Sequence, residues 1–198
     1  MARRPADATS PAHLSALEWL IERLPPVART LDVGSGTGRS TAATLVAAGH
    51  SVLGIDVSPV MVELAARQVP GAEFRCDDIR ELPLDADSFD GVCVFFSLLQ
   101  MTRAEQSALM RRLTRALRPG GHLVLATVPA DVEDVEVVFM GRRVLATSFA
   151  EDALTDMLES AGLTILSRHD TTFTPAHPDA GPEPHLFVHC RRDGTPGN

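Results

Sequence analysis

Apolar residues first recur at helical spacing at Leu14, Leu17, Ile21 and Leu24. They follow Ser10 and Pro11, a serine able to cap and a proline preset for a first turn. Pro25 and Pro26 end that helix. Beyond them, short apolar runs alternate with helical patterns: TLDVG, a helix from Gly38 to Ala48, SVLGID, a helix opened by Ser58 and Pro59, then AEFRC and GVCVFF. Such a β-α-β-α-β series predicts a parallel sheet covered by helices on both faces. Thr102 and Glu105 have capping-box spacing ahead of a helix expected to run to Arg118, where Pro119, Gly120 and Gly121 stop it. HLVLATV follows as a buried strand. Residues 135–148 form two apolar runs around Met140 and Gly141, which predicts a hairpin laid over the sheet. A second capping box is expected at Ser148 and Glu151, opening a helix with Leu154, Met157 and Leu158 that ends at Gly162. LTILSR and HLFVHC close the fold as strands, with the Pro/His-rich stretch 175–185 as the loop between them. The expected unit is one domain over 10–192, with helix 10–24 and hairpin 135–148 as candidate lids, a disordered start at 1–9 and a disordered tail at 193–198.

The length of 198 residues suits one α/β core, and no apolar run approaches the roughly 20 residues of a spanning helix. A soluble, cytoplasmic protein is the expectation. All 18 basic side chains are arginine, against 26 acidic ones, and the chain has neither lysine nor tyrosine. That excludes lysine-dependent phosphate loops, lysine Schiff bases and Tyr/Lys redox pairs, because those chemistries need the side chains themselves. The net charge of −8 argues against a nucleic-acid partner. Cys76, Cys93 and Cys190 show no paired spacing and read as small apolar fillers, and no metal-ligand spacing is present.

LDVGSGTG, residues 31–38, falls where the first parallel strand turns into a helix, and glycines there let backbone N–H groups approach a ligand. A dinucleotide fingerprint wants a third glycine at position 39, which is Arg39; the spacing is GxGxG instead. Asp56 ends the second strand, where a carboxylate can accept from both hydroxyls of a ribose. NAD and S-adenosylmethionine both satisfy that arrangement.

Taken together, LDVGSGTG, GIDVSPVMVELA, CDDIRELPLDADSFDGV, FFSLLQM and LRPGGHLVLATV resemble, in order and spacing, the motif series of class I S-adenosylmethionine-dependent methyltransferases. The match is close over residues 29–128, and the remainder more loosely resembles small-molecule members. The resemblance implies an α/β, Rossmann-like, doubly wound, mostly parallel seven-stranded sheet with an antiparallel last strand. It also implies S-adenosylmethionine as methyl donor and S-adenosylhomocysteine as product. By the same resemblance Asp32, Gly34, Ser35, Gly36 and Gly38 line the methionine and ribose end, Asp56 holds the ribose hydroxyls and Val57 packs on the adenine. Asp78 and the Ile79 N–H meet the adenine edge, while Phe95, Phe96 and Ser97 stand beside the sulfonium and the acceptor. Related small-molecule enzymes often carry a histidine where this chain has Gln100, which can orient a substrate but cannot take a proton.

Other readings of the same residues stay open. Asp56 is also placed to cap the following turn, one of Asp77 and Asp78 is a loop carboxylate, and Asp87 and Asp90 suit turn formation. Met61 fits either the core or an adenine contact. His13, on the lid helix, is a candidate base; His177 and His185 are further candidates, whereas His50 and His122 read as surface residues and His189 as structural. Arg142 and Arg143 suit a solvated turn or contact with an anionic acceptor. The expected activity is methyl transfer to a small molecule in bacterial secondary metabolism by a monomer or homodimer. The rivals are an S-adenosylmethionine-binding protein without methyl transfer, acting as a partner subunit or catalysing another rearrangement, and an NAD-dependent oxidoreductase.

Overall fold

The structure, a computed structural model, describes residues 10–139, 142–174 and 181–194. Its elements run α1 (Pro11–Ile21), β1 (Arg29–Val33), α2 (Thr41–Ala47), β2 (Ser51–Asp56), α3 (Pro59–Gln68), β3 (Glu73–Cys76), β4 (Phe89–Phe95), α4 (Arg103–Ala116), β5 (Leu117–Thr127), β6 (Val132–Phe139), β7 (Arg142–Ser148), α5 (Glu151–Ser160), β8 (Leu163–Phe173) and β9 (Glu183–Arg192). Seven strands form one sheet in the order β3-β2-β1-β4-β5-β9-β8. The pairs from β3 through β5 are parallel, while β9 runs antiparallel to both β5 and β8. The mostly parallel, doubly wound sheet with an antiparallel last strand is therefore the observed fold. Strand order reverses between β1 and β4, which opens a crevice at their carboxyl ends.

The core lies in two layers. On one face α4 and α5 cover Leu31, Val33, Val92, Leu123 and Leu125. On the other, Leu17 and Leu20 of α1 and Leu45 of α2 pack on Val52, Cys93 and Phe187. Cys93 and Cys190 are buried fillers as expected, but Cys76 is exposed. The expected caps of three helices form. Ser10 accepts from the His13 N–H, Ser58 from the Met61 N–H, and Thr102 and Glu105 make both halves of a capping box.

Several boundaries differ from the pattern-based expectation. Helix α2 starts at Thr41, since Gly38 sits at φ +72°, outside the right-handed helical region. Helix α4 stops at Ala116, and β5 begins at once, taking Pro119, Gly120 and Gly121 into the strand. The pairing absorbs them as a bulge, because Phe89 opposes Leu117 while Gly91 opposes His122. The capping box expected at Ser148 does not form: Ala150 is the N-cap of α5, and the Ser148 hydroxyl donates to the Val128 carbonyl instead. The closing strands are longer than expected, so His185 lies inside β9 rather than in a loop.

The β6–β7 hairpin is held mainly at its base. Thr147 N–H donates to Leu99 O at 2.8 Å and Gln106 Nε2 to Thr147 O at 3.1 Å, while Val138 and Leu145 face solvent. Residues 1–9, the part of the expected disordered tail 193–198 from 195 onward, and His177 lie outside the described residues.

Candidate active site

The glycine-rich turn is tied to the end of β2, where Gly34 and Ser35 N–H groups donate to Ile55 O at 2.8 and 3.0 Å. Gly34 and Gly36 both have positive φ, +72° and +51°. A Cβ on Gly34 would stand 2.3 Å from Ser97 Cβ, so glycine there lets the β1 turn meet the end of β4. At Gly36 a Cβ would meet nothing within 4 Å, which leaves its side of the turn open for a ligand.

Asp56 takes the turn-capping role named above and keeps acceptor capacity for a ligand. Its Oδ2 accepts from Gly36 N at 2.8 Å and its Oδ1 from Ser58 N at 2.9 Å, so it shapes the turn while each oxygen retains acceptor capacity. Asp32 is different in kind. It is 2% exposed, its Oδ2 has no partner, and burial, reinforced by the nearby Asp56 carboxylate, pushes its pKa up to about 7. Ser35 Oγ and Ser97 Oγ are likewise buried and unpartnered. An orphaned carboxylate and two orphaned hydroxyls around one open turn fit a cationic ligand that brings its own donors. The amino group, sulfonium and ribose of S-adenosylmethionine have that character.

Beyond the end of β3, the Asp78 carboxylate is gripped by Arg80. Its Oδ1 accepts from Arg80 N at 2.9 Å and its Oδ2 from Arg80 Nη2 at 2.7 Å, and that pairing holds it below the usual carboxylate range. Asp77 accepts from the Asp78 N–H at 2.9 Å. Ile79 is buried, and the Arg112 guanidinium donates to the carbonyls of Ile79, Arg80 and Leu82, bracing this segment against α4. Nothing in the motif spacing pointed to Arg112. Val57 and Met61 are both exposed beyond Asp56, which removes Met61 from the core.

His13 stacks on Phe95 with ring centroids 4.0 Å apart, and its Nε2 lies 3.1 Å from Thr41 Oγ1. Burial lowers its pKa to about 4, so it is neutral near pH 7 and ties α1 to α2 and to the end of β4. Gln100 is exposed on the turn after β4. Phe96 occupies the left-handed region at φ +55°, a conformation that costs a non-glycine residue about 1–3 kcal/mol. Its ring packs on His185 at 4.4 Å.

The remaining histidines and charged candidates sit elsewhere. His50 is buried rather than on the surface, its Nδ1 accepting from Ala28 N at 3.2 Å. His189 stacks on Trp19 at 4.4 Å and His122 packs edge-on to the same indole at 5.6 Å. Asp90 is more than a turn former: it takes the Arg29 N–H on one oxygen and the Arg118 guanidinium on the other. Asp87 has φ +55° and pairs with Arg192, and Arg143 pairs with Glu136 at 2.7 Å.

Comparison with known proteins agrees with the fold. Residues 30–121 match the family model of a methyltransferase domain. A demethylmenaquinone methyltransferase of Clavibacter sepedonicus is 40% identical over 105 residues, 50% of this chain and 42% of that protein. Methyltransferase GfsG of Streptomyces halstedii is 34% identical over 169 residues, 78% of this chain and 60% of that one, so the chain spans less than two thirds of these relatives. A solved S-adenosylmethionine-dependent methyltransferase of Methanosarcina mazei shares the fold with a TM-score of 0.75 and 19% identity, covering 88% of this chain and 96% of its own. A methyltransferase-domain model thus matches residues 30–121, and the chain has the fold of class I S-adenosylmethionine-dependent methyltransferases.

Proposed function

We propose that the protein binds S-adenosylmethionine at the β1–β4 crevice and transfers its methyl group to a small-molecule acceptor, in bacterial secondary metabolism. The observation that carries this reading is the Asp32 carboxylate, buried without a partner beside a turn whose Gly36 side is open. The −8 charge favours a diffusible acceptor over nucleic acid, and no helix among the described residues is long and apolar enough to cross a membrane. A cytoplasmic monomer or homodimer fits both.

In this reading Asp32 pairs with the amino group of the methionine end. Asp56 accepts from the ribose hydroxyls with the acceptor capacity left after binding Gly36 and Ser58. Asp78, preset by Arg80, and the Ile79 segment braced by Arg112 meet the adenine edge. The bound donor supplies an electrophilic methyl group on a sulfonium. What the protein adds is alignment: Phe95, Phe96 and Ser97 close the crevice at the end of β4, and holding nucleophile and methyl in line is worth up to roughly 7–11 kcal/mol in well-oriented systems. The small Ser97, seated against Gly34, leaves room for that approach.

Titration calorimetry with S-adenosylhomocysteine tests the binding step, and labelled S-adenosylmethionine with a library of phenols, amines and hydroxy acids tests transfer. Binding with turnover of at least one acceptor class is expected. Lack of binding defeats the reading, and binding without turnover favours a protein that holds the donor without transferring its methyl group.

A further inference from the structure

A cavity of about 400 Å³ opens between the start of α1 and the outer strands β8 and β9. Pro11, Ser15, Thr171, Thr172, Phe173 and His185 are part of its lining. Among the described residues that lining offers hydroxyls, imidazoles and a phenyl ring, and neither a carboxylate nor a guanidinium. None of the crevice residues lines it, but its His185 packs on one of them. His185 lies 4.4 Å from Phe96, the residue that follows Phe95 at the end of β4, and 5.1 Å from Phe173 on the cavity wall.

His185 is set up in one tautomer. It is 7% exposed, and its Nε2 lies 3.0 Å from Glu183 Oε1. A carboxylate only accepts, so Nε2 carries the proton and Nδ1 presents a lone pair. That Nδ1 is buried and has no partner. A donor in the cavity would satisfy it once a local shift of the ring or its neighbours opens the nitrogen to the cavity. The alternation along β9 places His185 and Phe187 on the same face as His189, which packs on Trp19 of α1.

Resting on the function proposed above, we propose that this cavity is the acceptor pocket for a neutral hydroxyaromatic compound, and that His185, oriented by Glu183, takes its hydroxyl proton. A formal charge on the acceptor would enter this lining without a counter-charge, whereas a ring packs on Phe173 and a hydroxyl supplies the missing donor. As the acceptor oxygen bonds to the methyl carbon, the carbon–sulfur bond breaks with its electron pair left on sulfur. The hydroxyl proton passes to Nδ1, and the imidazolium stands against the Glu183 carboxylate before releasing a proton to solvent. Neither Gln100, which is exposed, nor His13, held between Phe95 and Thr41, is needed for this step.

The test uses the full chain, labelled with ¹⁵N-histidine and saturated with S-adenosylhomocysteine. Phenol, 1-naphthol and 4-nitrophenol are the probes; benzoate and benzylamine are the charged controls. At least one phenol should shift the His185 Nδ1 resonance, assigned by its loss in His185→Gln, and the charged controls should not. Bound 4-nitrophenol should show phenolate absorbance below its free pKa in the native protein and not in His185→Gln. With labelled donor and any phenol that is turned over, His185→Gln should lower kcat by about 10²–10⁴-fold while leaving S-adenosylhomocysteine affinity unchanged. Glu183→Gln should lower it less. No shift from any phenol with S-adenosylhomocysteine bound overturns the pocket. An unchanged rate in His185→Gln, or no turnover of a phenol that binds, overturns the base. Failure of S-adenosylhomocysteine to bind overturns instead the function on which the inference rests.

Discussion

The two edges of the same sheet treat buried carboxylates in opposite ways. At the amino edge Asp90 is paired on both oxygens, one on the Arg29 N–H and the other on Arg118. Nearby, Arg192 donates to the carbonyls of Arg115 and Leu117 as well as to Asp87, stitching the start of β5 to the last strand. At the carboxyl edge Asp32 is more deeply buried and its Oδ2 has no partner, and Ser35, Ser97 and His185 repeat that pattern. Leaving such groups unpaired costs folding free energy, about 1–3 kcal/mol for each neutral one and more for a charged group. Asp56 and Asp78 at the carboxyl edge are paired, so Asp32 alone among the acids compared is left with an oxygen lacking a partner, as the proposed ligand site requires.

The sharpest way to break this contrast is at the glycine turn. Gly34→Ala places a Cβ 2.3 Å from Ser97 Cβ at a backbone φ of +72°, so it should abolish S-adenosylhomocysteine binding and lower the melting temperature. Calorimetry showing native affinity would mean that the turn has slack the structure does not show.

Exchanging the two acids comes next in size. Asp90→Asn should cost about 1.5–3 kcal/mol in urea unfolding, from hydrogen bonds to a charged group, and leave S-adenosylhomocysteine affinity unchanged. Asp32→Asn should do the reverse, raising stability at pH 8 by removing a stranded charge while weakening S-adenosylhomocysteine binding about 10-fold or more. If both variants lose stability and keep affinity, the edges do not differ in the way described.

The pH dependence carries the same asymmetry with opposite signs. Asp32 has its folded pKa raised to about 7, so its contribution to stability is present below the unfolded value near 3.8 and is lost as pH rises through 7. His13 and His189 have folded values lowered to about 4, by burial in both cases and for His189 also by Arg23 and His169. Their contribution is present above 6.5 and is lost as pH falls from 6.5 toward 4. Melting curves of His189→Gln should therefore fall less steeply than those of the native chain over that window. S-adenosylhomocysteine affinity should rise from pH 6 to pH 8 in the native chain and stay flat in Asp32→Asn.

The smallest expected effect separates an idle defect from a functional one at the carboxyl edge. The N-cap of α5 is Ala150, at φ −60° and ψ 156°, which gives the helix no side-chain cap. Ala150→Ser should add about 0.5–1 kcal/mol of stability without changing ligand affinity. A change in affinity would tie this helix end to the site.

These contrasts also mark where sequence reading succeeds. Ser10, Ser58 and Thr102 cap their helices because their partners lie three residues along the same chain, a separation that spacing reveals. Ser148 has the same spacing to Glu151 and fails as a cap, because the Val128 carbonyl, 20 residues away, takes its hydroxyl. Pro119 and Gly120 look like a helix stop and are one, yet the β5 pairing with β4 carries the strand straight through them. Arg112 and Glu183 carried no motif at all. Their roles come from carbonyls and an imidazole that only folding brings within reach.

By itself the sequence determined the alternation of strands and helices, the glycine turn after β1, and acids at the ends of β1, β2 and β3. These depend on periodicity and on steric rules that act within a few residues. Tertiary structure alone decided that β9 inserts between β5 and β8. It also decided that Asp90 is paired and Asp32 is not, and that His185 comes to lie beside Phe96. The physical reason is that the presence or absence of a partner for a buried polar group is set by contacts across the sheet, and local spacing carries no record of them.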